Sequence, residues 1–140
     1  MKTLQSWLDE YAQSHQNQTN KKIHFICVPL IMFSILGITL SISIWITLVL
    51  MIISFLFYFR LHIILGIYML VISFIMLAVL MQIPYLFIVS VIIFIISWVF
   101  QFIGHKIEGK KPSFLKDLQF LLIGPLWVLD YTLQKLGWRK

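Results

Sequence analysis

The sequence predicts an all-α integral membrane bundle of 140 residues in one domain. It comprises four transmembrane helices, an N-terminal amphipathic helix and a C-terminal re-entrant or interfacial helix. Three observations predict it. Hydrophobic residues make up 61% of the chain and charged residues 11%, against roughly 45–50% and about 25% in soluble domains. Across residues 25–103 the only formal charge is Arg60. The apolar runs between polar segments have the lengths of single or paired membrane spans. Folding in water would leave most of this apolar surface wet, so a soluble fold is excluded.

Residues 3–14 set Leu4, Trp7, Leu8 and Tyr11 at i, i+3, i+4 and i+7, one apolar stripe on a helix. Asp9, Glu10 and Gln13 fall elsewhere on the wheel. A short helix carrying Trp and Tyr suits the membrane interface; packing of the same stripe on the domain is the alternative. Nothing here resembles a cleaved signal peptide. Residues 14–29, SHQNQTNKKIHFICVP, then form a polar knot rich in side-chain amides, where Thr19 or Asn20 can cap the next helix.

The long apolar run that follows divides near Ser41 and Ser43 into spans 24–40 and 44–59. Spans of ~17 residues reach ~26 Å, the short end of what a bilayer core tolerates. Pro29 should kink the first span, because its ring removes a backbone donor and clashes one turn back. Arg60 and His62 mark a turn, 63–81 is the third span, Gln82 to Pro84 a tight connection, and 85–103 the fourth span. The small polar residues within spans read as helix-packing positions. A second polar knot, residues 101–112 (QFIGHKIEGKKP), leads to residues 114–136. This last segment is apolar but interrupted by Lys116, Asp117, Gln119 and Asp130 and broken at Gly124 and Pro125. Its apolar core is too short to span. Asp130 reads as its polar face.

Four crossings return the chain to the side it left. Lys21, Lys22, Arg60, Lys106, Lys110 and Lys111 then share one face, and the opposite turns carry no charge. The positive-inside rule makes that face cytoplasmic, with both termini on it. The membrane would be the inner membrane in a bacterium and the endoplasmic reticulum in a eukaryote. The net charge of +6 therefore reflects topology and contact with membrane lipid. No basic face interleaved with aromatics exists, so nucleic-acid binding is rejected. The single cysteine, Cys27, excludes an internal disulfide and a CxxC metal knuckle, and reads as a small buried hydrophobe.

The chain's four histidines, His15, His24, His62 and His105, all fall on that one face. Imidazole is the commonest side-chain metal ligand and is usually oriented by an acceptor on its other nitrogen. The knots supply such partners in Gln16, Asn17 and Asn20, and in Gln101 and Glu108. Gln101, His105 and Glu108 share a helix face if the helix continues through them. Glu108 is then either a ligand or the acceptor behind one. Histidines with one carboxylate match non-haem iron, and zinc accepts the same set. Against this, an interfacial histidine is often only a snorkelling polar residue. For His62, beside Arg60 and without an amide-rich frame, that plainer reading prevails.

The segments SHQNQTNKKIHFICVPLI and WVFQFIGHKIEGKKPSFLKDLQFLLIGPLWVL resemble the paired signatures of the 2-hydroxy fatty acid dioxygenase family of fatty acid α-oxidation. This is a small integral-membrane family formerly of unknown function, whose characterised fungal member acts in phytosphingosine degradation. The resemblance covers nearly the whole chain. It implies an iron(II)-dependent enzyme with essential histidines, matching His15, His24 and His105 here, with a 2-hydroxy long-chain fatty acid and O₂ as reactants. Lys106, Lys110 or Lys111 would offset the substrate carboxylate, and residues 114–136 would wall off water. One departure is Gln18, where proline stands in the family pattern; a looser loop is expected from it. Nothing is carried over to His62.

Rival functions fare less well. A transporter or proton-coupled carrier needs ionisable groups at mid-membrane, and the spans offer none. A bis-histidine haem carrier would hold its histidines within the spans rather than at their ends. A non-catalytic metal- or lipid-binding membrane protein stays open, as does a homo-oligomer.

Overall fold

The computed structural model describes residues 3–13, 17–109 and 114–137, leaving aside the side chains of 13, 108 and 114–122. Six helices follow one another, with no strand among the described residues: α1 Leu4–Gln13, α2 Gln18–Ile42, α3 Ile44–Leu61, α4 Ile63–Leu80, α5 Leu86–Glu108 and α6 Phe114–Lys135. Among the described residues, helices α2 to α5 are long and apolar enough to cross a membrane, and α6 is not among such helices. The chain divides into two compact units, Met1–Pro29 with Ser97–Lys140, and Leu30–Ile96.

In the second unit, α3 and α4 form a hairpin whose connection is the single residue His62. Its extended backbone closes α3 through an N–H bond to the Tyr58 carbonyl at 2.9 Å, while its Nδ1 accepts the Leu65 N–H at 3.2 Å and caps α4. Ser43 does the same for α3, its Oγ accepting the Trp45 N–H at 3.2 Å. The hairpin's inner stripes are Thr47, Met51, Phe55 and Tyr58 on α3, and Leu65, Gly66, Met69, Ser73, Leu77 and Leu80 on α4. The hydroxyls of Thr39 and Thr47, 2.8 Å apart, tie the end of α2 to the start of α3. Gly37 leaves the space where a Cβ would strike Ser90 Oγ. Ser34, Thr47, Ser73 and Ser90 are thus buried while Ile52, Ile53, Phe74 and Ile75 are exposed.

The first unit holds α1, the start of α2, the end of α5 and α6. Leu4, Leu8 and Tyr11 of α1 are buried and pack with α6, whose own buried stripe is Ile123, Leu126, Asp130 and Leu133. The α1 stripe is therefore closed by protein, as in the alternative reading, rather than turned to lipid. Two further expectations need correction here. Helix α6 runs unbroken through Gly124 and Pro125. A Cβ at Gly124 would come within 3.0 Å of Val28 Cγ1 and 3.3 Å of Tyr11 Oη, so this glycine serves close packing, while Pro125 removes a backbone donor without ending the helix. Asp130, read as solvent-facing, is buried and accepts the Gln134 side-chain N–H at 3.0 Å.

Helix α2 starts at Gln18, inside the polar knot. Asn17 is its cap: Oδ1 accepts the N–H groups of Thr19 at 2.9 Å and Asn20 at 3.2 Å. The cap expected at Thr19 or Asn20 is thus displaced outward, and both residues are helical. Gln18 is the first helical residue, so no loop exists there to be loosened. The helix continues through Pro29, and the boundary between units follows that proline directly. Helix α5 likewise extends past the expected 103 to Glu108, where Gly109 at φ +75° ends it.

Candidate functional site

The extended α2 and α5 carry Asn20 and His24 of the first knot and Gln101 and His105 of the second on helices, and the first unit brings some of them together. His24 is buried on α2. Its Nδ1 lies 3.0 Å from the carbonyl oxygen of Asn20, one turn earlier. A carbonyl only accepts, so Nδ1 carries the proton and Nε2 is the basic nitrogen. In this tautomer Nε2 is the nitrogen that can bind a metal or take up a proton, and the ring is oriented by main chain rather than by the amide side chains expected from the sequence.

His105, half-buried on α5, sets its ring edge-on to His24, with centroids 6.0 Å apart and planes at 88°. Two imidazoles bonded to one ion at ~2.1 Å have centroids no more than roughly 6.5 Å apart, so the separation is compatible with a shared ion. The approach depends on Gly104. A Cβ there would overlap Asn20 Oδ1 and come within 3.2 Å of His24 Cε1. Asn20 is completely buried in the space this glycine leaves.

An aromatic wall stands beside the pair. Tyr11 of α1 is buried with its ring edge-on to His24, centroids 6.4 Å apart. Tyr11 meets Trp127 of α6 at 5.2 Å, and Phe25 meets Trp127 at 5.4 Å and Tyr131 at 4.9 Å. The wall reaches the pair through Tyr11, which sets apolar surface against His24 and strengthens electrostatic interactions there. Sequence reasoning placed Tyr11 only on an amphipathic stripe and missed it as a neighbour of His24; its position at the end of that stripe nearest the first knot was the available signal.

The remaining expected site residues fall out as follows. His15, Gln16, Lys110 and Lys111 lie outside the described residues, as does the side chain of Glu108. Asn17 is exposed and caps α2 with its side-chain oxygen. Gln101 is buried one turn before His105, and its Oε1 meets no donor among the described residues, so it accepts from neither His24 nor His105. Lys106 is exposed on α5. His62 belongs to the second unit, where it caps α4. Among the described residues no three His, Cys, Asp or Glu side chains group to hold a metal. The described donor set is the His24 and His105 pair, which suits a borderline ion such as iron(II) or zinc.

A family model described as 2-hydroxy-palmitic acid dioxygenase Mpo1-like matches residues 1–65 and 58–136. The chain is also 32% identical over 142 aligned residues to the 2-hydroxy-palmitic acid dioxygenase MPO1 of Saccharomyces cerevisiae, across 96% of this chain and 82% of that protein. No solved structure matches it.

Proposed function

The chain belongs to the Mpo1-like family, and from that membership we propose that it is an iron(II)-dependent dioxygenase of 2-hydroxy long-chain fatty acids. The reaction converts R–CH(OH)–COOH and O₂ to R–COOH, CO₂ and H₂O, so the substrate itself supplies the electrons. The observation that carries the chemistry is the juxtaposition of His24 and His105. His24 and His105 would hold the ion, with His15 as a third donor and Glu108 as a further ligand or the acceptor behind one. When bound, iron(II) activates O₂ and orients a chelating substrate.

The protein's own groups account for the rest. The Asn20 carbonyl, 3.0 Å from His24 Nδ1, favours the Nδ1–H tautomer. Tyr11, backed by Trp127, covers one side of His24 and would exclude water there, protecting the reacting carbon from side reactions. Lys106, with Lys110 and Lys111, offsets the substrate carboxylate at the membrane face. The acyl tail stays among the exposed apolar side chains of α5 such as Phe102 and Ile103, so the acid reacts without leaving the bilayer. The site faces the cytoplasm in this reading.

Metal analysis of anaerobically purified protein, combined with oxygen uptake on 2-hydroxypalmitate, tests the reading. Iron-loaded protein should consume oxygen with this acid and not with palmitate. His24→Ala, His105→Ala and His15→Ala should each abolish uptake and lower bound iron. An iron-loaded protein inert toward 2-hydroxypalmitate would sink it.

A further inference from the structure

Within the apolar span Leu86–Ile107, a buried side-chain amide is out of keeping with its surroundings. Gln101 is only 7% exposed, and its Oε1 meets no donor among the described residues. A buried acceptor left without a donor destabilises a fold, and more so inside hydrocarbon. A leucine would fill the same volume without that cost, so the amide calls for a role beyond packing.

Its place narrows the role. On α5, Ser97, Gln101 and Gly104 form a buried stripe at i, i+4 and i+7, while Phe100, Phe102 and Ile103 are exposed. Gly104 on that stripe meets Asn20 and His24, and His105, four residues after Gln101, meets the His24 ring. Gln101 therefore lies one turn along α5 from the histidine pair, on the face that builds it. A 2-hydroxy fatty acid has two polar groups. Its ionised carboxylate only accepts hydrogen bonds, and its 2-hydroxyl is the single donor. An unsubstituted fatty acid has no donor at all.

We propose that the Gln101 carboxamide accepts the hydrogen bond of the substrate 2-hydroxyl, and so makes this residue the selector of 2-hydroxy over unsubstituted acids. The inference rests on the reaction assigned above and adds the residue that chooses its substrate. Sites that hydrogen-bond a substrate hydroxyl reject the analogue lacking it, because the buried partner is then left unpaired.

The test compares wild type with Gln101→Met, which keeps the shape and removes the acceptor. Displacement of a fluorescent fatty acid by 2-hydroxypalmitate and by palmitate is measured on metal-free protein, alongside iron content and oxygen uptake of the loaded protein. Gln101→Met should weaken 2-hydroxypalmitate by about ten-fold, as loss of one hydrogen bond predicts, while palmitate affinity and iron content hold. Equal weakening of both acids overturns the proposal, since the amide would then serve the carboxylate or the packing. Loss of iron overturns it too, by moving the residue to the metal. Gln101→Glu keeps an acceptor oxygen in place, so its preference between the two acids should survive even where its charge weakens both; loss of that preference also overturns the proposal. A wild type without oxygen uptake sinks the reaction assignment, whereas an active wild type with an unchanged preference in Gln101→Met sinks this inference alone.

Discussion

Gly104 is the residue on which the histidine pair most directly depends, because the approach of α5 to α2 in the first unit leaves no room for a methyl group there. Gly104→Ala would set a Cβ onto Asn20 Oδ1 and against His24 Cε1, and relieving that overlap costs about 1–3 kcal/mol. It should lower the melting temperature in detergent and remove most of the oxygen uptake. Gly109→Ala is the control. Its strain is only that of a left-handed φ of +75°, about 1–2 kcal/mol, with nothing within 4 Å of the new Cβ, so uptake should remain. His62 divides from the other histidines on the same reasoning. Its Nδ1 caps α4, so His62→Ala should cost about 0.5–2 kcal/mol in stability and leave turnover largely intact, and His62→Asn should restore the stability. Should His62→Ala prove as inactive as His24→Ala, the capping account of this residue is wrong.

At the scale of elements, the start of α2 gives the sharpest expectation. Asn17 caps the helix and Gln18 is its first residue, where the helix itself makes no use of the backbone N–H. Proline is favoured at that position because its fixed φ is already helical and its missing donor is not needed. Gln18→Pro should therefore raise stability by about 0.4–1 kcal/mol without altering uptake, measured by thermal unfolding beside the activity assay. The middle of each span was legible in the sequence, because an uncharged run of that length has few other fates. The ends of α2 and α5 were not. Gln18 to Lys22 and Gln101 to Glu108 have the composition of loops, and what keeps them helical is the Asn17 cap, the Gly109 stop and the packing at Gly104. The histidine pair was legible as a topological coincidence of two knots, but its tautomer depends on a main-chain carbonyl that composition does not reveal. Asp130 misled for a related reason. A carboxylate between Trp127 and Leu133 looks like a solvent-facing break in an apolar stripe until its burial is known.

Taken whole, the chain reverses the usual partition of side chains. Asn20, His24, Ser34, Thr47, Ser73, Ser90, Ser97 and Gln101 are buried, while isoleucine, leucine and phenylalanine dominate the exposed surface of the spans. In water that arrangement is unstable, since it exposes the groups whose burial would drive folding. In a bilayer it is the favoured one, because lipid offers apolar side chains as good a surrounding as protein does and offers polar groups none. The second unit makes this testable alone, since α3 separates Ser43 from Arg60 and α4 separates His62 from Gln82. Each helix crossing once would place Ser43 and Gln82 on one membrane face and Arg60 on the other, the cytoplasmic face in the orientation proposed from the positive-inside rule. The single cysteine allows a clean background in Cys27→Ser. In sealed inside-out vesicles, a membrane-impermeant maleimide should label Arg60→Cys before detergent is added, and Ser43→Cys and Gln82→Cys only afterwards. Labelling of all three from one side would mean that α3 and α4 lie along the membrane rather than across it. The exposed isoleucines would then need a covering other than lipid, and the proposed route of the acyl chain to the histidines would be lost with them.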